Sequence, residues 1–335
     1  MAEEILKMVN ITKRFAGITA LDRVQFSCSK GEVHVLAGEN GAGKSTILKI
    51  LAGIHQADEG EIYFHGKKVV IRNPEQSQKL GIAMVFQELT LVGEMTVWEN
   101  IYLNQEPVTR LGRINRKEIK KRILDVMDRY GIHIDPDAPV GSLPVAEQQM
   151  AEILKILVRD PELIILDEPT SALAKKEVEQ LYQIIHNLIA DGKTIIFISH
   201  RLEELFELGD RITVFKDGCY IGTRNMNEIN EDDLIRMMVG RSLNHVFPPP
   251  VCEVDDSQVI FEVKNLADAN HKLNQVSFQV HKGEILGVAG LQGHGQTELL
   301  NAVSGLYPLS GGSIIVNGKQ VGIKNAGQAI ANGIA

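Results

Sequence analysis

Four short runs in the N-terminal two-thirds of the chain are almost wholly apolar: Val33–Ala37, Ile82–Phe86, Leu163–Leu166 and Thr194–Ile198. Runs that do not alternate with polar residues belong to strands buried on both faces. Between them, apolar positions recur at helical spacing, as at Val178, Leu181, Tyr182, Ile185 and Leu188. Strands alternating with amphipathic helices predict an α/β fold whose mainly parallel sheet is covered by helices. Ligands of such sheets sit beyond the C-terminal ends of the strands.

The pattern also repeats. A shift of 252 residues carries LAGENGAGKST, at Leu36–Thr46, onto VAGLQGHGQTE, at Val288–Glu298, and GEIYFHGKKV from Gly60 onto GSIIVNGKQV from Gly312. Two copies of one domain are expected, with residues 1–243 as the first and 259–335 as the N-terminal part of a second. Residues 244–258, with three consecutive prolines followed by acids, suit neither a helix nor a central strand and are expected to form a linker.

Composition narrows the class without naming it. Apolar residues make up 44% of the 335, charged residues 23%, and the net charge is −8, which suits an ordinary globular protein and argues against a nucleic-acid partner. The densest basic cluster, Lys117, Lys120, Lys121 and Arg122, is interleaved with Ile119, Ile123, Met127 and Tyr130 and reads as the solvated face of a helix. Cys28, Cys219 and Cys252 are too scattered for a disulfide framework or a paired metal motif. The opening MAEEILKMVN has acids where a secretory leader needs basic residues, and no apolar run is long enough to span a membrane.

The strongest chemical motif is GENGAGKS, from Gly38, between the apolar run ending at Ala37 and the helical pattern of Ile47, Leu48, Ile50 and Leu51. Strand, glycine loop and helix in that order make a phosphate cradle. Backbone N–H groups of Gly38, Glu39, Asn40, Gly41, Ala42 and Gly43 converge on an anion at a helix N-terminus. Lys44 would reach the β and γ phosphates, and Ser45, beside Thr46, would hold Mg²⁺. ELIILDEPT, from Glu162, delivers Asp167 to meet the same Mg²⁺ and Glu168 to polarise an attacking water. KTIIFISH, from Lys193, delivers His200 to the γ-phosphate. Gln87, after the strand at Ile82–Phe86, is placed to bond the metal or the water; alone it would be a surface amide.

GENGAGKS, Gln87, LDEPTSAL and ISH stand in the order and near the spacing of ABC-type ATPases, which this chain resembles along its whole length. Two ATPase copies, VFQE at the glutamine, QQMAEI after the signature region and MVGRSL before the linker resemble the subfamily that powers import of ribose, galactose, xylose and related sugars. The resemblance implies a P-loop NTPase fold with an antiparallel β subdomain and a helical subdomain, and ATP with Mg²⁺ as ligands. It also implies a membrane permease, a substrate-binding protein and a second ATPase domain as partners, at the cytoplasmic face of the membrane. Phe15 matches the position whose aromatic ring stacks on adenine, the plain alternative being a core phenylalanine. No Asn-Lys-x-Asp element for guanine is present.

Several positions depart from the family. The signature loop that should read LSGGQ is LPVAEQQ, from Leu143, so Pro144 replaces a hydroxyl donor and Glu147 brings negative charge near phosphate. The second glycine loop, GLQGHGQT from Gly290, has Gln296 in the place of Lys44. Ala174 replaces a polar residue that faces the opposite domain. In a head-to-tail pair both defects fall in one composite site, while the sound loop pairs with a second signature beyond Ala335, and the chain is expected to bind MgATP but turn it over slowly. The stretch ELTLVGEMTVWENIYL after Gln87 offers either a permease-docking surface or helical-subdomain core. A soluble tandem ATPase acting on ribosomes or DNA is the rival reading, and the short acidic linker speaks against it.

Overall fold

The structure is a computed structural model and describes residues 3–86, 89–109, 112–239, 255–290 and 294–334. Contacts divide the chain into two compact units, Met1–Val246 and Phe247–Ala335.

The first unit opens with β1 (Glu4–Phe15), β2 (Ile18–Ser29), β3 (Val33–Ala37) and α1 (Lys44–Leu51). Then come β4 (Glu59–Phe64), β5 (Lys67–Val69), α2 (Pro74–Lys79) and β6 (Ile82–Val85). A helical stretch follows: α3 (Val97–Tyr102), α4 (Arg116–Tyr130) and α5 (Val145–Leu157). The unit finishes with β7 (Leu163–Asp167), α6 (Lys175–Ala190), β8 (Thr194–Ile198), α7 (Leu202–Leu208), β9 (Arg211–Lys216), β10 (Cys219–Asn225) and α8 (Glu231–Val239).

The strands form two sheets. One is antiparallel, in the order β2-β1-β4-β5; the other has six strands in the order β10-β9-β3-β8-β7-β6. Its five strands from β9 to β6 run parallel, and the edge strand β10 pairs antiparallel with β9. The register aligns the C-terminal ends, with Val85 opposite Leu166, Asp167 opposite Ile198 and Val35 opposite Phe197. Whatever follows β3, β7 and β8 therefore emerges along one edge.

The unbroken apolar runs have a direct explanation in this sheet. Alternate residues of each strand feed two different cores. Val35, Ile164, Leu166, Ile195 and Phe197 pack with α3 to α6 on one face. Leu36, Ile165, Ile196 and Ile198 pack on the other face with α1 and the antiparallel sheet. A strand between two cores has no solvent side on which to place polar residues. Ile165 is fully buried, so Ile165→Ala should destabilise the unit by about 2–5 kcal/mol. A denaturant midpoint lowered at constant slope is the expected reading.

The one polar break in β3 is His34, which is buried on the second face. Its ring nitrogens lie 2.8 Å from Glu32 and 2.8 Å from the Thr213 hydroxyl. Burial lowers its pKa, against the Glu32 carboxylate beside it, which raises it. Cys28 joins Glu32 and His34 within 4.8 Å, but both histidine nitrogens are already engaged and Arg211 Nη1 lies 3.1 Å from Glu32. The cluster is a satisfied polar inclusion in the core.

The second unit comprises β11 (Asp255–Ala267), β12 (Val276–Lys282), α9 (Gln296–Val303), β13 (Gly311–Val316), β14 (Lys319–Val321) and α10 (Ala326–Ala331). Its sheet order, β12-β11-β13-β14, is that of the first unit's antiparallel sheet. Asn325 caps α10 as Asn73 caps α2. β11 begins at Asp255, inside the stretch expected to be linker; residues 240–254 lie outside the described residues.

Asn10 and Asn265 both have positive φ and receive Gly60 and Gly312 against their carbonyls, a correspondence 255 residues apart. Downstream, Gly43 against Ala20 and Gly295 against Lys272 correspond at 252 residues. The first hairpin is thus three residues shorter in the second unit, in the stretch that carries Phe15 in the first. Residues 266–272 contain no Phe, Tyr or Trp. The segment equivalent to β3 lies outside any strand, with Ile285 98% exposed. Among the described residues of this unit, no strand flanks it.

Candidate nucleotide-binding site

Three strand ends build the site. After β3, the loop from Gly38 to Gly43 turns the chain back into α1, and two of its glycines have no substitute. Gly38 has φ 149°, and a Cβ there would lie 2.2 Å from the Phe215 carbonyl oxygen; Gly43 has φ 97°, and its Cβ would lie 2.5 Å from Leu21 Cδ2. No side chain caps α1. The positive end of the helix and its first-turn N–H groups therefore face the cavity without an internal acceptor, as an anion site requires.

Lys44, the first residue of α1, curls back over the loop. Its Nζ donates to the Gly38 carbonyl at 2.7 Å and the Glu39 carbonyl at 3.0 Å. Burial lowers the pKa of this ammonium, opposed by the charges of Glu168 and Asp167. At the end of β7, Asp167 is buried, and burial together with the neighbouring Glu168 charge pushes its pKa up. Two adjacent carboxylates with one partly desolvated are a donor set that a divalent cation suits, because it would relieve both costs.

Glu168 occupies the left-handed region, φ 49°, rare for a side chain of its size. Its N–H donates to the Ile198 carbonyl at 3.0 Å, which fixes the turn against β8. His200 follows β8, is mostly exposed, and places Nδ1 3.5 Å from Glu168 Oε2.

These groups line one cavity of about 490 Å³, walled by Asn40, Gly41, Ala42, Gly43, Lys44, Ser45, Thr46, Asp167, Glu168 and His200, with Ala20 and Ile198. Gly38 and Glu39 contribute to it through the carbonyls that hold Lys44. Phe15 does not line it. The ring sits at the end of β1, 38% exposed, edge-on to His55 at 5.1 Å between centroids, with Lys13 Nζ 5.2 Å from its centroid. The alternative of a core phenylalanine does not hold. Gln87 lies outside the described residues.

A buried carboxylate unforeseen from sequence fastens the acidic turn to the histidine turn. Glu204 accepts from the Thr170 hydroxyl at 2.7 Å and from the Ser199 hydroxyl at 2.5 Å, while the Arg201 N–H donates to Ser199 Oγ at 3.0 Å. Its one sequence signal is an acid in the first turn of α7. The unusual signature leaves its mark too. α5 starts after Pro144 with no side-chain cap, and Gln148 Nε2 donates to the Leu143 carbonyl at 2.8 Å. In the second unit the Gln296 amide lies against Gly290, as Lys44 lies against Gly38.

A parallel sheet that presents a glycine loop, an uncapped helix and paired acids along one edge defines an ATP-binding cassette of the P-loop class. The chain belongs to the ABC transporter family, whose model matches residues 21–171 and 273–332, one stretch in each unit. A relative from Burkholderia cenocepacia, provisionally named a ribose/galactose/methyl galactoside import ATP-binding protein, is 45% identical over 335 residues. That match covers 100% of this chain and 63% of the relative, so the chain spans somewhat under two-thirds of its length. A solved ATP-binding cassette of an ABC transporter is similar in fold, with a TM-score of 0.63 at 28% identity over 71% of this chain and 98% of that one. A second cassette, solved as a dimer in a post-hydrolysis state with ADP and Pi, gives 0.57 at 28% identity, over 66% of this chain and 98% of that one.

Proposed function

We propose that the first unit binds MgATP and hydrolyses it to power sugar import through a membrane permease. The observation that carries this reading is the convergence of Lys44, Asp167, Glu168 and His200, from three strand ends, on one cavity beside an uncapped helix. The phosphates rest on the N–H groups of Gly38, Glu39, Asn40, Gly41, Ala42 and Gly43, flanked by Thr46. Lys44 leaves its two carbonyls for the β and γ phosphates. Ser45 and Asp167, with Gln87, would hold Mg²⁺, which neutralises phosphate charge when bound. Glu168 polarises the attacking water and His200 contacts the γ-phosphate. Phe15 stacks on the base; its exposed ring suits a surface contact better than a core one.

The sugar class is taken from the named relative: ribose, galactose or a methyl galactoside. A permease, through it a substrate-binding protein, and a second ATPase domain are the expected partners, at the cytoplasmic face of the membrane. Among the described residues no helix is long and apolar enough to cross a membrane, so attachment would run through the permease. The stretch after Gln87 divides between its two readings. Val97, Trp98, Ile101 and Tyr102 are buried in the helical core, whereas Leu89, Val92 and Leu103 are exposed and left for docking. Cells whose gene carries Lys44→Ala should lose uptake of the labelled sugar. Unchanged uptake of ribose, galactose and methyl galactoside alike would refute the import reading.

A further inference from the structure

The ring of Phe15 stands at the tip of a hairpin and needs support from outside it. β1 and β2 are joined by Ala16 and Gly17, both with positive φ, and Phe15 pairs with Ile18 across the turn. A side chain at Gly17 would meet nothing within 4 Å, and Ile18 is 72% exposed. The tip therefore projects from the sheet, and two residues bear on the ring. Lys13, two positions back in β1, holds its ammonium 5.2 Å from the ring centroid, and Asp58 fixes that ammonium at 2.8 Å. The His55 imidazole packs against the ring at 67° to it, with 5.1 Å between centroids. This is edge-to-face geometry, in the range where aromatic pairs attract.

His55 suits that role because its own backbone is fastened. α1 ends at Leu51, and the N–H groups of Ile54 and His55 both donate to the Lys49 carbonyl, at 2.9 and 3.1 Å. Three residues on, the Asp58 N–H donates to the Thr12 carbonyl at 2.9 Å, and the Asp58 carboxylate accepts from the Arg14 N–H at 2.7 Å. The loop after α1 thus clamps the last residues of β1. The second unit repeats the clamp. Tyr307, 252 residues after His55, donates its N–H to the Asn301 carbonyl at 3.2 Å and its hydroxyl to the Asp268 carboxylate at 2.7 Å. Residues 266–272 contain no aromatic, so the contact there falls on a carboxylate that already accepts from the Leu273 N–H at 2.8 Å. In the first unit it falls on the Phe15 ring.

We propose that His55 is a positioning residue for the nucleotide base: it braces Phe15 so that the ring stays available to the purine while α1 holds the phosphates at its other end. The helix has eight residues and is about 12 Å long. Its first turn faces the phosphate cradle and the loop after its last turn carries His55, so one rigid element spaces the two halves of the ligand. An unbraced Phe15 must be ordered when the base binds, and that entropy is subtracted from the gain of stacking. Among the described residues neither ring nitrogen of His55 is hydrogen-bonded, which leaves the ring contact as the interaction to remove. The role rests on stacking of the base on Phe15, as proposed above.

Isothermal titration of the full chain with MgATP, and with magnesium tripolyphosphate, which has the phosphates and no base, separates the two halves. Phe15→Ala should weaken MgATP binding about three- to tenfold, as loss of one aromatic stack does, and His55→Ala should weaken it at least about threefold. Both should leave tripolyphosphate affinity within about twofold of the parent. His55→Phe, which keeps a ring and removes both nitrogens, should stay within about twofold for either ligand. The proposal is overturned if His55→Ala binds MgATP as the parent does while Phe15→Ala does not. It is equally overturned if His55→Ala weakens both ligands alike, as general loosening would, or if His55→Phe loses as much as His55→Ala. Failure of the stacking itself shows differently: Phe15→Ala then binds MgATP like the parent, and the brace falls with the platform it supports.

Discussion

Lys44→Ala should lower MgATP affinity about 10- to 100-fold, the equivalent of losing one charge-assisted hydrogen bond to phosphate. The loss should be confined to the ligand. In the structure the ammonium is spent on two backbone carbonyls and is partly desolvated. Removing it deletes a charge that the loop accommodates at a cost, and the loop conformation depends on Gly38 and Gly43. The unfolding midpoint of the ligand-free chain should therefore stay near that of the parent, while the upward shift on adding MgATP shrinks as affinity falls. Equilibrium titration with a fluorescent ATP analogue measures the first effect and a thermal melt the second. Equal midpoints and equal affinities would remove Lys44 from the site.

Glu168→Gln should separate binding from chemistry. Replacing a base that polarises water costs about 100-fold or more in the hydrolytic step. The amide keeps the size of the side chain, and the N–H bond to the Ile198 carbonyl that fixes the turn is a backbone contact. Binding should be retained or tightened, because the negative charge of Glu168 no longer opposes incoming phosphates. Phosphate release in a single turnover, set beside nucleotide affinity, shows whether the two diverge. Parallel loss of both would make Glu168 a binding residue.

Local features of the fold were readable from the chain. Val33–Ala37 and Thr194–Ile198 are strands at those bounds, and the apolar spacing at Val178, Leu181, Ile185 and Leu188 belongs to α6. Each signal is contained in a few consecutive residues: hydrophobic period, glycine spacing, an acid pair after a run of aliphatics. The groups that fasten the edge together were not readable. Glu204 and Thr170 are 34 residues apart. No period links such partners; only the folded register brings them into contact. Phe15 and Trp98 show the same limit in reverse. Both are aromatic in a mixed local pattern, yet packing leaves one on the surface and buries the other. The antiparallel edge strand β10 had no signal either, since most of its positions are exposed, only Gly222 is buried and Thr223 half-buried, and it carries no continuous apolar run.

The test closest to the central claim is a structure of the chain with a non-hydrolysable ATP analogue and Mg²⁺. The β-phosphate should lie against the N–H groups from Gly41 to Ser45, with Lys44 Nζ moved off the Gly38 and Glu39 carbonyls onto phosphate oxygens and the metal between Ser45 and Asp167. An analogue bound elsewhere, with Lys44 still bonded to those two carbonyls, would contradict it.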